Sequence, residues 1–265
     1  MKKMRRLKIS DHISIDDAWE RLERAGISVA YSEEDACHRT VHIFNSSEIA
    51  LKTFDWIEKI EDYHLPEIDW ESQWQIHGMD FKEGLVHVDL SQFGSYQSIL
   101  RLKPGPGFGD LSHPTTRLIL RLMPKYLLQQ EVIDIGCGSG ILTLAAAAMG
   151  APMAYGIDID ESALKHSGEN AKINKMEKKC RWMLPSRLKK KDFSEELILM
   201  NMIFSQQKVA WHSLPMLHHT SVKILTSGIM LEERKSYLHE TGKWGWQMIE
   251  ELEEAGWIGF CFQQS

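Results

Sequence analysis

The stretch from Val132 to Asp160 constrains this chain more than any other. It reads as an apolar strand, Val132-Ile133-Asp134-Ile135, then a turn, Gly136-Cys137-Gly138-Ser139-Gly140, then a helix from Ile141 to Met149 and a second strand from Met153 to Ile159. Three alternate glycines leave bare backbone on which a ligand can lie. The helix that follows starts with N–H groups that have no partner inside the helix. A turn of this kind holds a polar cofactor.

The details decide which cofactor. A dinucleotide-binding turn has the spacing Gly-x-Gly-x-x-Gly and aims the helix N-terminus at a pyrophosphate. Here the spacing is Gly-x-Gly-x-Gly, and Asp134 stands two residues before the first glycine. A carboxylate beside the turn repels phosphates and suits a ligand that carries an ammonium and a sulfonium. Asp158 closes the next strand, 22 residues after Gly136, where an acid can accept both hydroxyls of a ribose. The pair of acids points to S-adenosyl-L-methionine rather than NAD, and to a class I methyltransferase domain of Rossmann-like α/β fold.

At 265 residues the chain can hold one α/β domain of ~150 residues and a smaller companion. A net charge of −6 with 43% hydrophobic residues excludes a disordered chain and a strongly basic nucleic-acid binder. Cys37, Cys137, Cys180 and Cys261 lie far apart, without a Cys-x-x-Cys pair, so neither a zinc ribbon nor a disulfide framework is indicated. Five basic residues fall between Met1 and Lys8, but Asp11, Asp16 and Asp17 follow in place of an apolar signal segment. The expectation is a soluble, cytoplasmic protein.

Taken in order, the first segment predicts a strand within Leu7 to Ile15 and a helix capped by Asp16 or Asp17 and stopped at Gly26. Strands are expected at Ile27 to Tyr31 and Thr40 to Asn45. A second helix opening at Ser47 is then expected to carry Ile49, Phe54, Ile57 and Ile60 on one side. This is a small α+β unit, read as ferredoxin-like. From Asp16 to Glu71 it has fifteen acids against five bases, which repels phosphate and attracts a cationic protein. Residues 1–64 are therefore expected to form a substrate-docking domain and 65–103 a linker with strands; 104–265 are expected to form the methyltransferase domain.

Asp69-Trp70-Glu71 with Trp74 falls in that linker, where the two tryptophans would share one side of a helical turn. The loop Pro104-Gly105-Pro106-Gly107-Phe108-Gly109 comes next, followed by Asp110-Leu111-Ser112-His113-Pro114 and a helix from Thr116 to Leu128. A glycine-rich loop so close to the cofactor turn can fold back over the ligand. His113 is read as making a hydrogen bond at the helix entry rather than as a catalytic imidazole. After the turn, a helix is expected from Ser162 to Ile173 and a strand from Arg181, with Leu184-Pro185-Ser186 ending it beside the adenine. Lys189-Lys190-Lys191 reads as a solvated loop. The apolar strand Glu196 to Met200 delivers Asn201 to its C-terminal end, where the ligand crevice of an open α/β sheet lies. A strand at Val222 to Thr226, a helix from Trp244 to Ala255 and a last strand from Trp257 to Phe262 complete the reading.

Three segments together resemble the PrmA family, the methyltransferases of large-subunit ribosomal protein L-eleven. They are Asp69-Trp70-Glu71 with Trp74, Phe108-Gly109 with His113-Pro114-Thr115-Thr116, and Asp134 to Leu142 continued through Gly156-Ile157-Asp158-Ile159-Asp160. The likeness runs from about Asp69 to Trp257, and its middle segment is the specific one. It implies a ferredoxin-like N-terminal domain that docks the ribosomal protein, and methylation of lysine side chains and an α-amino group. It also implies that Thr116, Gly136, Asp158 and Asn201 contact the cofactor or the incoming amine. With the residues read above, the candidate cofactor contacts are Phe108, Thr116, Asp134, Gly136, Gly138, Asp158, Ser186 and Asn201, and Asn201 is the candidate catalytic residue. Members of that family read Phe-Gly-Thr-Gly where this chain has Phe108-Gly109-Asp110-Leu111. The C-terminus is short, so six sheet strands are expected rather than seven.

Two other functions fit the same fold. A nucleic-acid methyltransferase commonly carries Asn-Pro-Pro-Tyr at the strand end where this chain has Asn201-Met202-Ile203-Phe204, and Phe204 keeps that alternative open. A cofactor-binding protein with weak or no activity is the other, motivated by Asp110-Leu111.

Overall fold

The computed structural model describes residues 4–27, 29–34, 39–44, 48–63, 80–94, 99–105, 107, 109, 111–188, 196–218 and 222–264. They belong to two compact units, Met1–Ile68 and Asp69–Ser265.

The first unit runs β1 (Met4–Ile9), α1 (Ile15–Arg24), β2 (Val29–Glu34), β3 (Arg39–Phe44), α2 (Glu48–Leu51) and β4 (Ile57–Tyr63). Its antiparallel sheet has the order β2-β3-β1-β4. Leu7, Ile9, Ala18, Leu22, Val41, Ile43 and Leu51 are buried together in its core. Ser14, not Asp16 or Asp17, caps α1: its hydroxyl oxygen accepts from Asp17 N at 3.1 Å.

The expected long second helix is corrected. Only Glu48–Leu51 is helical, and Ile57 and Ile60 lie in strand β4. Opposite β1 the register slips by one residue, Lys8 facing Lys59 and Ile9 facing Ile57, so Glu58 is bulged out. A bulge lets two residues three apart share one face of a strand. Ile57 and Ile60 therefore both pack on the core while imitating helical spacing.

The second unit opens with a three-stranded antiparallel sheet, β5 (Phe81–Lys82), β6 (Leu85–Asp89) and β7 (Ile99–Leu102). Read from sequence as part of a connection, these strands bury Val86, Val88, Leu100 and Leu102 in the same core as the helices that follow. Then come α3 (Pro114–Tyr126), β8 (Glu131–Ile135), α4 (Ile141–Ala148), β9 (Ala154–Ile157), α5 (Glu161–Ile173), β10 (Cys180–Met183) and β11 (Glu196–Asn201). The chain ends through α6 (Phe204–Ser213), β12 (Lys223–Met230), α7 (Arg234–Lys243), β13 (Trp246–Glu254) and β14 (Trp257–Gln264).

The main sheet has seven strands in the order β10-β9-β8-β11-β12-β14-β13, five of them parallel, with β14 and β13 closing one side as an antiparallel hairpin. This corrects the expectation of six strands, and with it the helix expected at Trp244 to Ala255. Strand order reverses at β8, which opens a crevice at the C-terminal ends of β8, β9 and β11.

Strand β13 disguises itself by a second register slip. Met248 pairs with Phe262 and Glu250 with Cys261, so Ile249 is bulged and the faces exchange. Beyond it, Lys125 and Tyr126 of α3 donate to Glu250, while Arg117 and Arg121 pair with Glu254. Carboxylates thus occupy the inward face of an edge strand, where an apolar residue would be expected. Asp69 to Trp74 and Lys189-Lys190-Lys191 lie outside the described residues.

Candidate active site

The glycine turn is hitched to the end of β9. Gly136 N and Cys137 N both donate to Ile157 O, at 2.7 and 3.0 Å. Gly136, Gly138 and Gly140 all have positive φ, of 75°, 54° and 83°, a region that costs any residue with a Cβ about 1–2 kcal/mol. Only two of the three glycines face ligand space. Gly136 and Gly138 line the cavity, whereas Gly140 lies against Trp182 and Ser167. The Trp182 ring also lies against Gly156, where a Cβ would collide with it.

Two N–H groups at the start of α4 are taken up by the protein itself. Asp134 is fully buried, and its Oδ2 accepts from Thr143 N at 3.1 Å and Thr143 Oγ1 at 2.7 Å. Ile141 N donates to Ser139 Oγ at 3.4 Å. A helix N-terminus attracts an anion, and here the protein's own carboxylate fills that position. This corrects the expectation that Asp134 faces the cofactor's ammonium, since it does not line the cavity. Burial pushes its carboxyl up to about 7 and the Asp158 charge pushes the same way, against the two Thr143 hydrogen bonds. Burial also raises the Cys137 thiol well above the ordinary range, which keeps it an inert thiol.

Asp158 stands in the cavity wall at the end of β9. Its Oδ2 accepts from Gly138 N and its Oδ1 from Asp160 N, both at 3.0 Å. Each oxygen retains a second lone pair, so the carboxylate is aimed by backbone and can still accept hydroxyls. At the end of β11, Asn201 faces the cavity and its Nδ2 donates to Thr116 Oγ1 at 3.4 Å.

Thr116 itself is fully buried and its neighbour Thr115 lines the cavity, so Thr116 orients the Asn201 amide from behind. His113 caps α3 as read from sequence: Thr115 N donates to its Nδ1 at 3.4 Å. Its ring meets Trp257 edge to face at 5.0 Å.

These walls enclose a cavity of about 720 Å³, whose far side is formed by Ile203, Ser205, Gln206 and Val209 around the start of α6. Asn201, Met202 and Ile203 are held in place from below. Gln207 Nε2 donates to Met202 O at 2.8 Å and to Ser227 O at 3.0 Å, and Tyr237 OH donates to Gln207 Oε1 at 2.6 Å. Gly228, at φ 95°, lies against the Met202 backbone where no Cβ fits.

Comparison with known proteins agrees with this geometry. Residues 4–265 match the family described as ribosomal protein L11 methyltransferase (PrmA). The chain belongs to the PrmA family. The ribosomal protein L11 methyltransferase of Thermotoga petrophila is 25% identical over 248 residues, 92% of each chain. That of Thermotoga maritima is 27% identical over 263 residues, 98% of this chain and 97% of the other. The crystal structure of a ribosomal protein L11 methylase from Lactobacillus delbrueckii subsp. bulgaricus shares the fold, with a TM-score of 0.56 at 23% identity over 68% of this chain and 99% of that one.

PrmA membership makes S-adenosyl-L-methionine the cofactor, and the residues present fit it. Asp158 keeps lone pairs that would accept ribose hydroxyls, Gly136 and Gly138 line the cavity, and the helix end that would hold a pyrophosphate is filled by Asp134. Of the other sequence-read contacts, Ser186 is exposed and outside the cavity wall, which Pro185 reaches instead. Phe108 and Asp110 lie outside the described residues. Sequence reasoning missed Thr115, Trp257 and the α6 wall. Thr115 stood within the His113-Pro114-Thr115-Thr116 segment of the resemblance, and Trp257 begins the last strand.

Proposed function

We propose that this PrmA-family protein transfers methyl groups from S-adenosyl-L-methionine to amino groups of a ribosomal protein, at lysine side chains and an α-amine, with Asn201 orienting the amine. The observation that carries this is the Asn201 amide at the cavity wall with its nitrogen committed to Thr116. That hydrogen bond turns Oδ1 into the acceptor end, which can take an amine hydrogen and direct the lone pair.

The cofactor supplies a methyl group made electrophilic by a sulfonium. The protein must then present a neutral amine in line with it. A lysine with pKa about 10.4 is neutral about once in 2,500 molecules at pH 7, a cost of about 4.6 kcal/mol. Desolvation can lower an amine's pKa by up to about 3–5 units, which is the required size. The cavity wall is largely apolar here, with Ile135, Ile157, Met202, Ile203, Leu214 and Trp257. No general base is needed, and catalysis rests on desolvation and orientation.

The same geometry weakens the nucleic-acid alternative. Phe204 packs edge to face on buried Tyr237 at 5.2 Å and does not line the cavity, so its ring is not available to stack on a base. The acidic stretch from Asp16 to Glu71 supports docking of a basic ribosomal protein: charge of that sign attracts a cationic partner and repels RNA. None of the described helices is long and apolar enough to cross a membrane, and our reading assigns the protein to the cytoplasm.

The test is incubation with methyl-labelled cofactor and separated ribosomal proteins or ribosomal RNA. Label in a protein band supports the reading. Label in RNA would replace it with the nucleic-acid alternative, and binding without transfer with a non-enzymatic role.

A further inference from the structure

Beyond β7, Gly107 and Gly109 both touch the cofactor turn. A Cβ on Gly107 would lie 2.5 Å from the Gly138 backbone, and Gly109 O accepts from Ser139 Oγ at 2.7 Å. Gly107 also lines the cavity. What holds this segment down is a row of polar side chains on α5 and its C-cap, at residues 166, 170 and 174. The spacing of four puts them on one helix face.

Asn174 Oδ1 accepts from Arg101 N at 2.9 Å and its Nδ2 donates to Arg101 O at 2.7 Å. Asn170 Oδ1 accepts from Lys103 N at 2.8 Å, while its Nδ2 donates to Ser139 O in the turn at 2.9 Å. His166, buried, completes the row: Nε2 lies 2.7 Å from Lys103 O, and Gly107 N donates to Nδ1 at 3.3 Å.

Asn170 Nδ2 also lies 3.4 Å from Nε2, but it donates to Ser139 O at 2.9 Å, so the two shorter contacts of the ring set the tautomer of His166. A carbonyl only accepts, so Nε2 carries the proton, and an amide N–H only donates, so Nδ1 must be bare. Gly105 passes so close beneath the ring that a Cβ there would sit 2.5 Å from Nε2.

We propose that His166 is a positioning residue, a clasp that holds Lys103 and Gly107 at the glycine turn only while its imidazole is neutral, and so sets affinity for the methyl donor. The inference rests on the reading of the cavity as the methyl-donor site.

Protonation at Nδ1 would aim a donor at the Gly107 N–H and break that bond. The charged groups acting on the ring are Glu169 on its own helix, which favours the imidazolium, and Lys103 on the covering segment, which disfavours it. These two pair with each other at 3.0 Å. Beneath it the turn presents only Ser139 and backbone. Burial outweighs these charges and holds the ring below the ordinary value of 6.5. The neutral, closed clasp is therefore present at neutral pH and lost as pH falls through that lowered value.

Two substitutions divide the ring's work. In His166→Asn the amide oxygen can stand where Nδ1 stands and keep the Gly107 bond. In His166→Gln the amide nitrogen can stand where Nε2 stands and keep only Lys103. Gly105→Ala drives a methyl group into Nε2, Cδ2 and Cε1 and so displaces the whole ring, the Gly107 bond included.

The experiment is calorimetric binding of S-adenosyl-L-homocysteine at pH 7.5 and 5.5, with hydrogen exchange of the ligand-free proteins over 101–109 and 131–145. Expected for His166→Gln and Gly105→Ala is a Kd about three- to tenfold higher at pH 7.5, the size of one lost hydrogen bond. Exchange should be faster at 101–109 and unchanged at 131–145. His166→Asn should bind like wild type at pH 7.5 and lose less affinity than wild type at pH 5.5. If all three variants match wild type in exchange and affinity, the clasp is overturned. If wild type fails to bind the ligand while the exchange differences appear, the cavity reading has failed and the clasp stands.

Discussion

Asp134 offers the sharpest test of the site, because two substitutions separate its hydrogen bonding from its charge. In Asp134→Ala the Thr143 N–H and hydroxyl both lose their acceptor inside the core. A buried donor without a partner costs about 1–3 kcal/mol, so this variant should lose about 2–6 kcal/mol. Asp134→Asn keeps an oxygen for both donors and removes the charge that burial penalises. The sign follows from the raised carboxyl, at about 7 against an ordinary 3.8. Between those values the folded chain holds a proton that the unfolded chain has lost, so wild-type stability falls as pH rises. Roughly three units at 1.36 kcal/mol each gives about 4 kcal/mol over the window. Asp134→Asn should therefore be no more stable than wild type at pH 5 and clearly more stable at pH 8. Hydrogen exchange over 131–145 along a urea series at both pH values reads this locally in the second unit. Parallel loss of stability in wild type and Asp134→Asn between pH 5 and 8 would refute the assignment of a buried, charge-penalised cap.

Asp158→Ala should weaken S-adenosyl-L-homocysteine binding by about 1–3 kcal/mol, because ribose hydroxyls lose a charged acceptor; an unchanged calorimetric Kd would remove the ribose assignment. Asn201→Ala should lower kcat more than cofactor affinity, and an equal loss in both would end its orienting role. Gly228→Ala forces a side chain into a φ of 95° and against the Met202 backbone. It should cost about 1–2 kcal/mol of stability and lower kcat by shifting Asn201, so wild-type values for both would contradict that packing.

The half of the chain that builds the cofactor crevice was legible because its strands are parallel and covered on both faces. Val132-Ile133 and Leu197-Ile198-Leu199-Met200 are unbroken apolar runs, and the turn between strand and helix tolerates little but glycine. The misread parts, Ile57–Tyr63 and Trp246–Glu254, are both antiparallel strands interrupted by a bulge. One extra residue at Glu58 turns a period of two into a spacing of three, and one at Ile249 exchanges the faces of β13. Glu-rich composition then completes the likeness to a helix. Hairpin pairing with β14 and ion pairs to α3 hold Glu250 and Glu254 in a strand, and α3 lies far back in the sequence.

Within the site, residue type was readable and aim was not. Asp134 and Asp158 both flank the turn, yet the first points down the axis of α4 and the second across the cavity. The difference comes from position on the strand. Asp134 precedes the last residue of β8, so the following helix folds over it, whereas Asp158 follows the last residue of β9, where the chain has left the sheet. Thr115 and Thr116 divide in the same way, one helix position apart: the first faces the cavity and the second supports Asn201 from behind. In our reading the two acids therefore bear on the choice of ligand in different ways. Asp134 occupies the anion position that a phosphate would need, and Asp158 would accept the hydroxyls that a nucleoside brings. Removing the first should relax discrimination against phosphate-bearing ligands, while removing the second should weaken every ribose-containing ligand alike. Titrating Asp134→Asn and Asp158→Ala with S-adenosyl-L-homocysteine and NAD separates these outcomes, and a common pattern in both variants would show that the two acids act as one.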